Sequence, residues 1–80
     1  APGLFRVQRA MNLSNLDALS LTLEIDWNAE GQVTSARVLD QTPAPAVEKA
    51  LVTWARKIRF APGSPGRGRM PVQLKSESWR

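Results

Sequence analysis

Trp54 to Leu74 reads WARKIRFAPGSPGRGRMPVQL, and this stretch decides how the chain is put together. Its first part closes an amphipathic helix. Arg59, Phe60, Ala61, Pro62 and Gly63 stop that helix, because Pro62 and Gly63 prevent continuation. A Gly/Pro/Arg loop follows from Ala61 to Arg69. A new alternation starts near Met70, with Met70, Val72 and Leu74 set against Pro71, Gln73, Lys75 and Glu77. A helix delivered tightly into a last strand predicts a small sheet with one helix packed on it. Pro71 has no N–H to give a ladder, so its backbone belongs on the outer side of an edge strand.

Working back from Trp54, the helix runs from about Thr42–Pro45 to about Ile58. Thr42 or Ala44 is its N-cap, with Pro43 or Pro45 at the first helical position, where a missing N–H costs nothing. Val47, Leu51, Trp54 and Ile58 fall at helical spacing, flanked by Ala50 and Ala55. Glu48, Lys49, Thr53, Arg56 and Lys57 take the wet face. Each large apolar side chain buried here contributes roughly 1.5–3 kcal/mol.

Further back, Leu19 to Trp27 alternates without a break. Leu19, Leu21, Leu23, Ile25 and Trp27 lie on one face, and Ser20, Thr22, Glu24 and Asp26 on the other. That is a half-buried strand of an antiparallel sheet. Asn28, Ala29, Glu30 and Gly31 turn the chain, with Gly31 at the position that needs a positive φ. A second strand runs from about Gln32 to Leu39. Thr34, Ala36 and Val38 read as one face, and Val33, Arg37 and Leu39 as the other. Its imperfect alternation predicts a bulge near Thr34 or Ser35. Residues 1–18 read as a short helix or as coil. The fold class expected is α+β: a three-stranded antiparallel sheet over residues 19–80, one main helix on one face, and a short N-terminal element.

Eighty residues make one domain, and 42% hydrophobic content is enough for a compact core. The chain has no Cys, His or Tyr. Disulfides, thiolate metal sites and the commonest general base are excluded together. The apolar runs are too short to span a membrane. Eleven basic and seven acidic residues give a net charge of +4, and the cations gather after Lys49. Such a half favours acidic partners.

Two pieces, LTLEIDWNAEGQVTSARVL (Leu21–Leu39) and KALVTWARKIRFAPGSPGRGRMPVQL (Lys49–Leu74), carry a family resemblance. The first is similar to an alternating strand, acidic-Gly turn and second strand ending in Val-Leu. The second is similar to a helix ending in an aromatic-Arg-aromatic-x-Pro segment, then a Gly-rich loop and a Pro-Val strand. Gly31, Val33, Arg59, Phe60 and Pro62 fall on that pattern. Together they resemble the C-terminal domain of TonB-type energy transducers, over about Leu19 to Trp79. Ile58 departs from it, standing where the family usually has an aromatic residue. The resemblance implies a periplasmic binding domain of an inner-membrane-anchored protein, not an enzyme, with no cofactor. Such domains seize a short extended segment of an outer-membrane receptor, which adds as a strand beside the last strand. The full-length protein carries energy from an inner-membrane proton-driven complex, so that pulling on the segment opens the receptor for uptake.

The residues expected to meet that segment are Pro71, Val72, Gln73, Leu74, Lys75 and Ser76, with Arg67 and Arg69 meeting acidic neighbours. If Pro71 faces outward, so do Gln73 and Lys75, while Val72, Leu74 and Ser76 bond the inner strand. Main-chain bonds supply affinity in this recognition mode and side chains supply specificity. A bare edge also invites strand-exchanged homodimers. The plain alternative is that Pro71 and Lys75 only protect the edge from aggregation. A small basic nucleic-acid module is a competing class, because GSPGRGR with Arg56, Lys57 and Arg59 suits phosphates. No RRM, KH or helix-turn-helix pattern accompanies it. A third reading is a TonB-like interaction module in another envelope protein. For an enzyme, the carboxylates Glu24, Asp26 and Glu30 sit at a solvent-facing hairpin with no partner base, and phosphate-binding motifs are missing.

Overall fold

The computed structural model describes residues 4–42 and 44–75. The chain runs α1 (Phe5–Leu13), β1 (Ala18–Trp27), β2 (Val33–Val38), α2 (Pro45–Arg56) and β3 (Gly66–Lys75). The strands form one antiparallel sheet in the order β2-β1-β3. This is the α+β fold that the alternation and the single long helix predict, with α2 lying over β2 on one face. Among the described residues no helix is long and apolar enough to cross a membrane.

The N-terminal element is a helix. Val7, Ala10 and Met11 put one side of α1 into the same core as the sheet, and Met11 and Val7 are among its most deeply buried side chains. Local pattern could not choose between helix and coil here, because the choice rests on burial against α2. Asn15, at φ 56°, turns the chain out of α1, and the Leu16 N–H closes back on the Met11 carbonyl at 3.0 Å.

In α2, Ala44 is the N-cap and Pro45 opens the helix. The Ala44 N–H donates to the Thr42 hydroxyl oxygen at 3.1 Å, which shapes the approach. Pro43, the other proline that the sequence offers for that position, lies outside the described residues. The innermost row is Val47, Leu51 and Ala55, all fully buried. Trp54 and Ile58 are only partly buried at its margin. The i, i+4 row faces the sheet, and Trp54 is rotated toward α1, where it lines a groove with Phe5. The helix ends at Arg56 with Lys57 as C-cap, short of Ile58.

The bulge falls where the imperfect alternation of the second strand predicts it, whereas the face of Val33 and the start of the last strand differ from the expectation. The bulge falls at Thr34, which has no partner between the pairs Asp26–Ser35 and Trp27–Val33. One extra residue reverses the alternation. Val33 therefore joins Ala36 and Val38 on the core side instead of lying with Arg37 and Leu39. The last strand begins at Gly66, not near Met70, so Gly66 to Arg69 belong to the ladder and not to a loop. Glycine is a poor strand former in isolation, and only a neighbour that needs its lack of a side chain explains it there.

That neighbour is Trp27. A Cβ at Gly66 would lie 2.6 Å from the indole, and one at Gly68 3.3 Å from it. The ring also meets Phe60, centroid to centroid, at 4.8 Å, and its Nε1–H donates to the Ser64 carbonyl at 3.2 Å. The segment after α2 is laid along the β1–β2 turn. Gln32 bridges to Arg59, the Phe60 N–H donates to the Gly31 carbonyl at 2.8 Å, and the Gly63 N–H to the Ala29 carbonyl at 2.8 Å. The turn is held by Asn28, whose Oδ1 accepts from the N–H groups of Glu30 and Gln32. Gly31 has φ 83°, and a Cβ there would strike the Phe60 carbonyl at 1.9 Å. These contacts aim the chain into β3.

Candidate docking edge

β3 is ten residues long, pairs only with β1, and leaves its other edge bare of any described strand. Which of its backbone groups face outward follows from Thr22. The Thr22 N–H donates to Asp40 Oδ2 at 2.6 Å, and the Thr22 carbonyl accepts from the Leu39 N–H at 2.9 Å. Both groups therefore point to the β2 side. Thr22 stands opposite Pro71, so that pair exchanges no ladder bonds, and the backbone of Pro71 faces out. Antiparallel ladders alternate. The backbones of Arg67, Arg69, Gln73 and Lys75 then face out as well. Gly66, Gly68, Met70, Val72 and Leu74 bond to β1.

Direction and face are coupled along a strand. The outward-turned residues have their side chains on the wet face, and they are exposed. Gly66, Gly68, Met70, Val72 and Leu74 look toward the helices, yet of these only Leu74 is buried. The core side of the edge is thus partly uncovered. A shallow apolar depression of about 190 Å³ opens there between Ile25, Trp27, Phe60, Gly68, Arg69 and Met70. An added strand would find open backbone groups, and an apolar surface beside them.

The opposite edge is less suited. β2 has six residues and carries the bulge at Thr34. Short length and a bulge are both devices that discourage pairing. Two edges exist, and the long, regular one is β3.

The wet face holds a charge network. Glu24 is 7% exposed although it lies on the polar side of β1. It pairs with Arg37 of β2 and, at 3.2 Å, with Arg69 of β3. Arg67 binds Asp26 at 2.5 Å through Nε, with Nη2 reaching the other carboxylate oxygen at 3.3 Å. The Arg37 hydrogen bond holds the Glu24 carboxyl below its ordinary range against the opposing effect of desolvation, with Arg69 adding to it. The Arg67 hydrogen bond does the same for Asp26, and the Arg67 guanidinium is stabilised in return. Glu24 and Asp26, which the sequence places at a solvent-facing hairpin, are thus ion-paired to arginines across the sheet. Cross-strand placement brings cations from both neighbouring strands over them.

The predicted site residues sort as follows. Pro71, Gln73 and Lys75 lie on the outward phase of β3. Val72 and Leu74 lie on the inward phase, with Val72 half-buried and Leu74 in the core. Arg67 and Arg69 lie in the strand itself, not in a solvated loop, and their side chains are occupied by Asp26 and Glu24. Both stay more than half exposed, at 61% and 70%. Ser76 lies outside the described residues. Sequence reasoning missed the depression at Trp27 and Phe60. Its signal is the pair of glycines at alternate positions, Gly66 and Gly68, which mark a bulky cross-strand neighbour.

Among the described residues no group of His, Cys, Asp or Glu is arranged to hold a metal ion. No model of a known protein family matches the chain, and no curated protein matches it either.

Proposed function

We propose that this chain is a non-enzymatic, TonB-like docking domain that captures an extended peptide segment by strand addition along the outer edge of β3. The observation that carries the reading is the phase of that edge. Arg67, Arg69, Gln73 and Lys75 turn their N–H and C=O groups outward over a long, unbulged strand, and the Trp27–Phe60 depression opens beside them. Strand addition draws affinity from such backbone groups and specificity from neighbouring side chains. The resemblance to TonB-type C-terminal domains names the segment as part of an outer-membrane receptor. On that resemblance the proposal extends to a periplasmic domain of an inner-membrane-anchored protein that transmits energy for uptake. The same edge serves equally in a TonB-like module of another envelope protein.

The nucleic-acid reading loses support from the wet face. Arg67 and Arg69, the cations of the GRGR stretch, already neutralise Asp26 and Glu24. Their charge is less available to phosphates than the sequence alone implies.

The test is titration of the isotope-labelled domain with receptor-segment peptides, and separately with single-stranded nucleic acid, at two salt concentrations. The expected result is peptide-induced amide shifts centred on β3 from Arg67 to Lys75. Salt-sensitive binding of nucleic acid without peptide binding sinks the proposal.

A further inference from the structure

The sheet face and the helix face of this molecule treat charge differently. On the sheet, Arg37, Arg67 and Arg69 are all paired with Glu24 or Asp26. On the helices, Arg6, Arg9, Lys49, Arg56 and Lys57 make no ion pair among the described residues, and all five are exposed. The acid on α2 is Glu48, in its first turn.

These cations share their surface with exposed apolar side chains. Phe5, Arg9 and Leu13 recur at i, i+4, i+8 along α1, so they lie on one stripe. Phe5 is 75% exposed and Leu13 77%. Beside the stripe, a groove of about 270 Å³ runs between the helices, with Phe5 and Trp54 in its walls and Arg6 and Lys57 at its rim. A second depression, bounded by Lys49 and Arg56 with Glu48 and Val52 also in its lining, shares Thr53 with the first. The uncompensated cations and the exposed apolar residues therefore form one continuous face, on the side of the sheet that carries α1 and α2.

We infer that this helix face docks on an anionic lipid surface, with Phe5 and Leu13 entering the headgroup zone and Arg6, Arg9, Lys49, Arg56 and Lys57 meeting lipid phosphates. The chemistry favours lipid over other anionic partners. Interfacial helices combine basic side chains with bulky apolar ones on a face that lies in the plane of the membrane. Phe5 and Leu13 protrude on either side of Arg9. A fluid headgroup layer accommodates projecting apolar and basic groups side by side. A nucleic acid would use the cations and leave Leu13 in water. The inference does not depend on the β3 edge, whose outward backbone groups lie in the plane of the sheet and not on its helix side.

The test is vesicle flotation of the whole chain. Vesicles of phosphatidylcholine alone are compared with vesicles of equal parts phosphatidylcholine and phosphatidylglycerol. The chain is expected to float only with the anionic vesicles, and less so as salt rises. Removing two cations in the double variant Arg6→Gln, Arg9→Gln should weaken binding roughly tenfold or more, given about one factor of five for each cation near an anionic surface. The double variant Ser20→Glu, Gln41→Glu lowers net charge equally, but acts at exposed positions off the helices, and should change binding far less. Phe5→Ser should weaken binding without altering the urea midpoint, since the ring is mostly in water. If the α1 pair proves unstable, Lys49→Gln with Arg56→Gln on α2 gives the same readout. Absence of flotation, equal binding to uncharged vesicles, or equal loss in the two charge-matched pairs overturns the inference. So does oligonucleotide binding through Arg6 and Arg9 without vesicle binding. None of these outcomes bears on peptide capture by β3, which the amide titration reads separately.

Discussion

Thr22 stands opposite Pro71 across the β1–β3 register, and both backbone groups of Thr22 turn away from it, to Asp40 and Leu39. A proline is tolerated in this strand because the pair it enters exchanges no ladder bonds. The same fact assigns every other residue of β3 to one of two roles. The inward set holds the sheet together, and the outward set is free to meet a partner.

A proline scan of β3 separates the two sets. Gln73→Pro removes an outward N–H, so the domain should keep its fold and its unfolding free energy within about 1 kcal/mol, yet lose affinity for a strand-adding peptide. Val72→Pro removes an N–H that faces Leu21 and should lower stability well beyond that. If Gln73→Pro binds peptide as well as the parent chain, Gln73 is not a ladder donor.

The glycines around Trp27 should be intolerant of side chains in a graded way. At Gly66 a Cβ would sit 2.6 Å from the indole, and at Gly68 3.3 Å. Overpacking of this kind costs about 1–3 kcal/mol, so Gly66→Ala should lie near the upper end and Gly68→Ala near the lower. Gly31→Ala should be worse than either. It combines a left-handed φ of 83° with a Cβ 1.9 Å from a backbone oxygen, and the dihedral strain alone is of order 1–3 kcal/mol. Urea midpoints of the three variants check the order.

Acid should weaken the sheet through Glu24 and Asp26. Both carboxyls titrate lower in the folded chain than their ordinary values of 4.5 and 3.8, chiefly through hydrogen bonds from Arg37 and Arg67. A depressed folded value means that the unfolded chain binds protons first as pH falls. The stabilisation is therefore complete above the ordinary values. It is lost as pH drops below them and through the lowered folded values. In Glu24→Gln the pH dependence of the urea midpoint in this acid range should flatten. An unchanged profile would remove Glu24 from the account.

Met11 tests whether α1 belongs to the folding unit. It is fully buried, and truncating a buried methionine costs about 2–5 kcal/mol. Met11→Ala should thus lower the midpoint of a single unfolding transition monitored on the sheet. A separate early transition confined to α1 would show instead that the helix folds on its own account.

Much of this was legible in the chain. The alternation from Leu19 to Trp27 placed the central strand and chose its buried face, because period two leaves one solution for a half-buried ribbon. The break at Pro62 and Gly63 ended the helix region. Pro71 announced the phase of the last strand. What eluded local reading depended on partners distant in sequence. Gly66 to Arg69 looked like a loop, since glycine and arginine have little strand preference, until Trp27 and the carboxylates of Glu24 and Asp26 supplied a reason for each. Val33 reads as sharing a face with Arg37 and Leu39, and the expected bulge, once located at Thr34, moves it to the core side.

The sequence by itself determined the strands and the main helix, their order and the edge character of Pro71, because these follow from periodicity and from what proline cannot do. Only the tertiary structure decided where the last strand begins, which residues cover its two faces and whether the first residues fold. Those outcomes are set by side chains that meet across the sheet: Trp27 on Gly66 and Gly68, Arg67 on Asp26, Arg69 on Glu24, and Met11 in the core beneath α2.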